Sequence, residues 1–249
     1  MSAGRGSKKK VPETVWVEAL TKPHTAPFAW LPHSPRCAIC GSPFAGLGGA
    51  IARLMGVRPW QKNPTLCTMC WNGFPLGGAE VDVAVMFANL RGSTALGEQV
   101  GAAAYAELLN GFYRAATTAL VPHRAIIDKL IGDEVMALFL PFTGPSYRQN
   151  CVAAAVDVMH NFQENAGDDA RLALGIGLHA GPAYVGKVGQ GAVNTASRIQ
   201  HEAAAREIVI SEGLYDSIRH RYPGLERRIV ELRGKQEPLA VRVLRGAQA

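Results

Sequence analysis

The chain has 249 residues, of which 48% are hydrophobic and 18% are charged, and it carries a formal net charge of +6. This composition is typical of a soluble globular protein with one large domain, or one domain and a small module. The sequence has no stretch of about 18 or more apolar residues, and its basic N-terminus lacks an apolar signal region. We therefore expect neither a membrane span nor a secretory signal, and predict a cytoplasmic protein.

The first 35 residues are basic at their start and rich in proline. Arg5, Lys8, Lys9 and Lys10 lie there without an acidic neighbour. Such a charge run is typical of a solvated tail, and we do not expect it to contact a membrane or nucleic acid. Because prolines recur in this region and break regular elements, residues 1–35 are predicted to form a flexible, extended arm.

Residues 36–76, which we call the cysteine module, contain two Cys-x-x-Cys pairs, Cys37/Cys40 and Cys67/Cys70. Each pair presents two thiolates from one tight turn, and two such turns can surround a Zn²⁺ ion tetrahedrally. We therefore predict a small, structural zinc module. An iron–sulfur cluster is the alternative for four thiolates. Disulfides are the third interpretation and conflict with a reducing compartment.

Basic and aromatic residues near these cysteines raise the alternative of a nucleic-acid-binding module. They are Arg36, Arg53, Arg58, Lys62, Trp60 and Trp71. This set is sparse, so we favour a metal-stapled unit that docks on the main domain. The fifth cysteine, Cys151, lies in a helical pattern and is predicted to be a buried small hydrophobic residue.

The chain from about residue 80 shows a mixture of strand and helix patterns. Alternating apolar residues predict a strand over 81–88, and helical spacing predicts a helix over 95–120. In that helix, Gly101 and Gly111 are expected to mark breaks or close packing. Residues 125–140 predict a hairpin that turns at Gly132-Asp133.

The rest of the chain continues this mixture. A helix is predicted over 149–164 and a strand over 172–181, whose glycines allow a close approach on one face. A helix over 195–205 and a strand over 208–210 follow. Two last strands, from Ile229 and Leu239, are expected to pair through the turn 234–238. Because strands and helices do not alternate regularly, an α+β sheet covered by helices on one face is favoured over a doubly wound sheet.

Five segments in order resemble the catalytic domain of class III nucleotidyl cyclases, the adenylate and guanylate cyclases. They are Val85–Thr94 (VMFANLRGST), Asp128–Phe139 (DKLIGDEVMALF), Gly175–Gly181 (GIGLHAG) with Val185–Gly189 (VGKVG), Val193–Ile199 (VNTASRI) and Leu232–Pro238 (LRGKQEP). No single motif is decisive, but their joint order over residues 80–245 is specific. The resemblance implies a ferredoxin-like α+β domain, preceded here by the cysteine module.

The resemblance also implies a reaction, in which a nucleoside triphosphate, ATP being expected, becomes a 3′,5′-cyclic monophosphate and pyrophosphate. The ribose 3′-hydroxyl attacks the α-phosphate beside two divalent cations, Mg²⁺ or Mn²⁺, that lie about 3.5–4 Å apart. On the family pattern, Asn89, Leu90 and Asp133 hold the cations. The residues that match the phosphate-binding segment are Gly92, Ser93 and Thr94.

The remaining matched residues bind and orient the nucleotide. Lys129 matches the residue that contacts the base. Asn194 and Arg198, four residues apart on one helix face, match the catalytic residues that orient the ribose and stabilise charge on the transferred phosphate. In the family these groups come from the second protomer. The resemblance therefore implies a head-to-tail homodimer, or a heterodimer with a cyclase that carries the aspartate missing here.

Asn89 departs from the family pattern, which places a metal-binding Asp at this position. Asn offers a carbonyl oxygen but no negative charge. One charge about 4 Å from a cation is worth ~4 kcal/mol at an effective dielectric constant of about 20, which approaches a thousandfold in rate. We therefore expect a cyclase of reduced activity. The alternative is a degenerate homologue that binds nucleotide or a partner cyclase and regulates it.

A second departure precedes Val193. Only Gln190, Gly191 and Ala192 follow Gly189, where the family usually has a longer segment with a dimer-contacting arm and a base-recognition residue. The base specificity is therefore open among ATP, GTP and pyrimidine triphosphates.

Overall fold

The computed structural model describes residues 11–22, 29–32, 34–61, 63–73, 77–166, 173–186, 194–232 and 237–245. The helices are α1 (Glu13–Thr21), α2 (Gly46–Leu54), α3 (Thr68–Gly73), α4 (Ser93–Val100), α5 (Ala102–Leu120), α6 (Tyr147–Ala166), α7 (Asn194–His201) and α8 (Glu212–Tyr215). The strands are β1 (Pro59–Trp60), β2 (Asn63–Cys67), β3 (Gly78–Arg91), β4 (Ile126–Ile131), β5 (Glu134–Phe139), β6 (Ala173–Gly186), β7 (Glu207–Ser211), β8 (Glu226–Val230) and β9 (Leu239–Arg245). No helix within these ranges is long and apolar enough to cross a bilayer.

Seven strands form the main sheet in the order β4-β5-β3-β6-β7-β9-β8. Neighbouring strands are antiparallel except β6 and β7, which run parallel. Strand β3 pairs with β6 along its whole length, and β5 pairs with its second half. The start of β5, which follows the hairpin turn directly, lies beside the end of β3. The hairpin turn is therefore next to that strand end.

The first face of the sheet packs against α5, α6 and α8. Alternation along β3 directs Ala84, Met86, Ala88 and Leu90 to this face, where all four are buried. Helices α5 and α6 also pack on each other, and the rings of Phe112 and Phe162 meet edge to face with centroids 5.8 Å apart. This cluster is the main core of the domain.

The second face of the sheet is covered by α1, the cysteine module and α7. The alternate β3 residues Val83, Val85 and Phe87 pack there with side chains that include Trp16 of α1 and Ala196 of α7. The prediction that helices cover one face only is therefore wrong. The cover on both faces is explained by the apolar residues on both sides of β3, because a strand that is buried on two faces has a nearly continuous hydrophobic sequence.

Several predicted elements are confirmed. The hairpin turns at Gly132-Asp133, α4 and α5 meet at Gly101, and strands β8 and β9 are paired. Cys151 is completely buried in the main core, as expected for a small hydrophobic residue. The basic tail, Leu172, the short segment before Val193 and most of the turn 234–238 lie outside the described residues.

Three expectations about local structure are wrong. The predicted extended arm contains α1, because Pro12 can precede a helix without a loss of hydrogen bonds and Trp16 and Leu20 pack from one helix face. Gly111 lies inside α5, and no atom stands within 4 Å of a Cβ built there, so it marks neither a break nor a close contact. The strand predicted to end at Gly181 is longer, because β6 continues to Gly186.

A buried carboxylate joins the three strands at the far side of the sheet. Glu207 of β7 accepts hydrogen bonds from Arg228 of β8 at 3.1 Å and from Arg245 of β9 at 2.7 Å. Burial alone would raise the pKa of Glu207, but the bonds from Arg228, the Ala204 N–H and Arg245 outweigh it and hold the pKa below its usual range. The ion pairs therefore stabilise the sheet while Glu207 is ionised.

Candidate active site and metal centre

The end of β3 and the β4–β5 turn are joined by hydrogen bonds around Asp133. The Leu90 N–H donates to the Asp133 carbonyl oxygen at 3.0 Å, and the Ser93 hydroxyl donates to the Asp133 carboxylate. The Tyr113 hydroxyl of α5 donates to the Gly132 carbonyl oxygen at 2.6 Å and anchors the turn from the other side. The Asp133 carboxylate is therefore held beside the strand end that carries Asn89.

Asn89 lies directly opposite Glu134 on the paired strands β3 and β5. The Leu90 N–H donates to the Asp133 carbonyl oxygen, so Asn89 and Glu134 form the adjacent, non-hydrogen-bonded pair. In such a pair, side chains on the same face lie closest. Both residues are half-buried. Burial raises the pKa of Glu134, and the negative charge of Asp133 raises it further, whereas His201 and Lys129 act in the opposite direction.

Glu134 was missed by the sequence analysis. The signal was present, because a two-residue turn at Gly132-Asp133 makes residue 134 the first residue of the returning strand. Only the pairing of that strand with β3, in this register, shows that Glu134 faces Asn89. The register between two strands that are distant in the sequence cannot be predicted from one of the two segments alone.

Arg91 connects the end of β3 to helix α7. Its guanidinium donates to the carbonyl oxygens of Gln200 and, at 2.6 Å, Ala203, at the C-terminal end of the helix. A cation at this end offsets the partial negative charge of the last carbonyl groups. Burial lowers the pKa of Arg91, and the nearby carboxylates, led by Asp133, act against that effect. Arg91 is a second residue that the sequence analysis missed.

Two glycines of β6 make room for this connection. A Cβ at Gly177 would lie 2.2 Å from the Gln200 nitrogen, and a Cβ at Gly175 would lie 2.6 Å from Nε of Arg91. The prediction that these glycines allow a close approach is therefore confirmed. Larger residues would displace α7 or the Arg91 side chain.

The other predicted site residues lie on separate elements. Lys129 is exposed on the edge strand β4, where its Nζ lies 3.8 Å from the Asp128 carboxylate. Asn194 is the first residue of α7, and Arg198 is half-buried one turn later. Within the described ranges, no hydrogen bond or ion pair joins Lys129 or Arg198 to Asp133. The structure thus brings Asn89, Leu90 and Asp133 together with Gly92–Thr94 at the start of α4. Lys129 lies on β4 of the same hairpin, whereas Asn194 and Arg198 lie on α7.

The four module cysteines form one compact cluster. The Sγ atoms of Cys37, Cys40, Cys67 and Cys70 all lie within 4.8 Å of one another, and those of Cys40 and Cys67 are 3.8 Å apart. The Cys67 and Cys70 N–H groups donate to sulfur atoms at 3.3 Å, on Cys37 and Cys67 respectively. Hydrogen bonds from the neighbouring thiols hold the pKa of Cys40 below its usual range, and the same cluster raises that of Cys37.

The cysteine module is tied to the sheet by polar contacts near this cluster. The Asn63 amide donates to the Ile127 carbonyl oxygen of β4 at 2.6 Å. Arg124, whose pKa is lowered by burial, donates to the carbonyl oxygens of Ala38 at 2.9 Å and Thr143 at 2.7 Å. The module is therefore docked on the domain rather than tethered by a loop.

Of the residues behind the nucleic-acid alternative, Trp60, Trp71 and Arg36 have structural roles, Arg58 is exposed, and Lys62 lies outside the described residues. Trp60 and Trp71 stack on each other with ring centroids 4.0 Å apart, and Arg36 donates to three backbone carbonyl oxygens of its own neighbourhood. These groups are engaged within the module, which supports the docked, metal-stapled interpretation.

Comparisons with known proteins identify the domain that holds the Asp133 site. Residues 79–244 match the family model of the adenylate and guanylate cyclase catalytic domain. An adenylate cyclase of Anabaena cylindrica is 28% identical over 47% of this chain and 26% of its own length. An uncharacterized protein of Mycobacterium bovis is 32% identical over 46% of this chain and 20% of its own length. The matched regions thus span about a quarter or less of these relatives.

Solved structures with the same fold are also cyclase domains. The guanylyl cyclase Cya2 superposes with a TM-score of 0.62 at 24% identity, over 68% of this chain and 93% of that one. The adenylyl cyclase CyaB from P. aeruginosa superposes with a TM-score of 0.58 at 24% identity, over 68% of this chain and 96% of that one. The resemblance in fold and the family match agree, and the chain belongs to the family of adenylate and guanylate cyclase catalytic domains.

Proposed function

We propose that the chain is a nucleotidyl cyclase of reduced intrinsic activity, which converts a nucleoside triphosphate, ATP in the first instance, to the 3′,5′-cyclic monophosphate and pyrophosphate. The observation that carries the proposal is the junction of β3 with the hairpin turn, made by Leu90, Ser93 and Asp133. A carboxylate and the first turn of α4 lie together at this junction, which supports the binding of a divalent cation and a triphosphate there.

The oxygen donors at this junction fit a hard divalent cation such as Mg²⁺ or Mn²⁺. The cation-binding residues would be Asn89, Leu90, Asp133 and Glu134, through amide, carbonyl and carboxylate oxygens. When bound, the cations neutralise triphosphate charge and align attacking and leaving oxygens. Asn89 alone would leave this set one charge short. We infer that Glu134, which faces Asn89, adds a carboxylate to this set but replaces the missing charge only in part, because burial raises its pKa.

The nucleotide-orienting residues would act from the second protomer of a head-to-tail dimer. Arg198 stabilises charge that develops on the transferred phosphate, Asn194 orients the ribose, and Lys129 contacts the base. Gly92, Ser93 and Thr94 bind phosphate oxygens. Membership of the adenylate and guanylate cyclase catalytic-domain family supports a site shared between protomers. A homodimer satisfies this arrangement without another protein.

The cysteine cluster fits a single tetrahedral metal ion, and we propose a structural Zn²⁺. Four sulfurs bound at about 2.3 Å in a tetrahedron lie about 3.8 Å apart. The observed separation of Cys40 and Cys67 is 3.8 Å. An iron–sulfur cluster would need its cysteines spread around a larger inorganic core. The N–H donors to sulfur also suit thiolates, whose charge they stabilise.

A turnover assay on the chain and its Asn89→Asp variant tests the proposal, with all four nucleoside triphosphates and with Mg²⁺ or Mn²⁺. We expect a low rate of cyclic-nucleotide formation for the chain and a rate 10²- to 10³-fold higher for the variant. An Asn89→Ala variant is the matched control and should not exceed the unmodified chain. Absence of cyclic nucleotide from all of these samples, with every triphosphate, would overturn the proposal.

A second candidate function follows from Asn89 itself. A protomer that lacks the first metal-binding aspartate can still give its Lys129, Asn194 and Arg198 to a partner cyclase that has it. In that case the chain stimulates an Asp-bearing cyclase in a heterodimer and makes no cyclic nucleotide alone. A mixing assay with such a cyclase separates the two functions.

A further inference from the structure

Helix α2 of the cysteine module presents its large apolar residues to the outside. Leu47, Ile51, Leu54 and Met55 recur at helical spacing on one side, which we call the outer face of α2. Leu47 is 78% exposed and Leu54 is 88% exposed. Exposed apolar residues that are scattered singly need no explanation, but a contiguous row along one helix face indicates an interaction surface.

The opposite side of α2 fixes this orientation. A Cβ at Gly48 would lie 2.5 Å from the Pro32 carbonyl oxygen, and a Cβ at Gly49 would lie 2.5 Å from the Phe44 backbone. Ala52 is completely buried on the same side. Only very small residues fit against the module, so the helix cannot rotate to bury Leu47 and Leu54 without a clash. The exposure of the outer face is therefore a consequence of the sequence.

The segment that carries the outer face has charges of one sign. Residues 19–79 contain no Asp or Glu, whereas they include Lys22, Arg36, Arg53, Arg58 and Lys62. Arg53 on α2 and Arg58 shortly after it are exposed, and Arg53 also donates to the Phe44 carbonyl oxygen at 3.1 Å. The segment thus combines protruding Leu and Ile side chains with Arg cations.

We propose that the outer face of α2 docks the protein on an anionic lipid bilayer. Protruding apolar side chains that sit on a convex helix suit insertion between lipid headgroups, and the flanking arginines suit anionic phosphates. A second copy of this chain fits less well. A two-fold contact through α2 would place like-charged Arg53 and Arg58 side chains together, on a patch small for a stable dimer. A nucleic acid would leave Leu47 and Leu54 without a stacking partner.

The proposal is independent of cyclase turnover, because no residue of the outer face belongs to the Asp133 junction. It concerns a different surface from the basic tail of residues 1–10.

Vesicle co-sedimentation of the zinc-loaded full chain tests the proposal. We expect binding to vesicles of equimolar phosphatidylcholine and phosphatidylglycerol, weak binding to phosphatidylcholine alone, and a loss of binding as salt is raised. Leu54→Ser should reduce the partition coefficient about tenfold or more. The double variant Arg53→Gln/Arg58→Gln should reduce it by roughly tenfold on anionic vesicles. Ile229→Ser, an exposed apolar residue on β8, is the matched control and should bind like the unmodified chain.

Three results would overturn the proposal. The first is no binding to anionic vesicles, or equal binding by Leu54→Ser and Ile229→Ser. The second is concentration-dependent self-association of the free chain that Leu54→Ser abolishes, which would assign the face to a second copy. The third is salt-sensitive binding to DNA or RNA that survives Leu54→Ser, together with a lack of lipid binding. Zinc content and circular dichroism verify that each variant is folded.

Discussion

Asn89 and Glu134 face each other across β3 and β5, as the neutral and the acidic member of one cross-strand pair. The pair lies beside Asp133, whose carboxylate is bound by Ser93. On the proposed function, a cation at this place would meet the carboxylate of Asp133 and, across the strand pair, that of Glu134. Because burial raises the pKa of Glu134, this second carboxylate replaces only part of the charge that Asn89 lacks.

Glu134→Gln should weaken cation binding more than Glu107→Gln does. The first change removes one of the two carboxylates at the junction, whereas Glu107 is exposed on α5. We expect the affinity for Mn²⁺ in the presence of a non-hydrolysable triphosphate to fall about tenfold or more. Electron paramagnetic resonance of free Mn²⁺ measures this without turnover. Equal affinities of the two variants would show that Glu134 does not contact the cation.

Arg91→Met should loosen helix α7. The variant leaves two carbonyl groups at the end of the helix without their cationic donor, which should lower the free energy of unfolding by about 2–3 kcal/mol. Hydrogen exchange of residues 194–201 should accelerate, and kcat should fall with little change in KM, because Arg198 is carried by this helix. Arg114→Met, an exposed change on α5, is the control. Unchanged exchange in α7 would contradict a positioning role for Arg91.

The purified chain should contain about one zinc ion and show no visible absorbance. Cys67→Ser should lose the ion, and its Tm should fall by roughly 10 °C or more, because the module would lose its closing ligand. Cys151→Ser is the control for cysteine content and should keep the ion, since Cys151 lies in the main core. Elemental analysis and differential scanning calorimetry provide the two readouts. Stoichiometric iron with a visible spectrum would refute the zinc assignment.

The free energy of unfolding should fall in acid through Glu207. Its pKa lies below the ordinary value of 4.5, so its ion pairs stabilise the fold fully above that value and are lost as pH falls through the folded-state pKa. We expect Glu207→Gln to lower the free energy of unfolding by about 2–3 kcal/mol at pH 7. Below about pH 4.5, the free energy of unfolding should depend less on pH in the variant than in the unmodified chain. Urea unfolding at several pH values measures both effects. If the free energy of unfolding of Glu207→Gln falls as steeply with decreasing pH as that of the unmodified chain, Glu207 is excluded as the source of the acid sensitivity. Glu98→Gln, a change at an exposed position, is the comparison.

The sequence predicted the elements that depend on local patterns. The Gly132-Asp133 turn, the break at Gly101 and the close approach at Gly175 and Gly177 follow from residue types whose local physics is strong. Glu134 and Arg91 were missed because their roles arise from partners distant along the chain. Glu134 needs the register of β3 with β5, and Arg91 needs the end of α7.

Helix α1 and the second covered face were missed for a related reason. The prolines that flank α1 are typical of an extended arm. A helix as short as α1 is stabilised by packing rather than by its intrinsic helix propensity. Trp16 and Leu20 bury against the sheet, which is a tertiary effect. The single charge lost at Asn89 follows from the sequence, whereas the position of Glu134 across the strand pair does not.

The most direct test of the account is a complementation assay in the Asn89→Asp background. Asp133→Ala removes the cation site and Arg198→Ala removes the phosphate-stabilising cation, so each variant alone should be inactive. If sites form between protomers, an equal mixture creates heterodimers with one intact site, and activity should return to about one quarter of the background rate. No recovery, in a mixture whose chains exchange as shown by pull-down of differently tagged copies, would contradict a catalytic site shared between two copies of this chain.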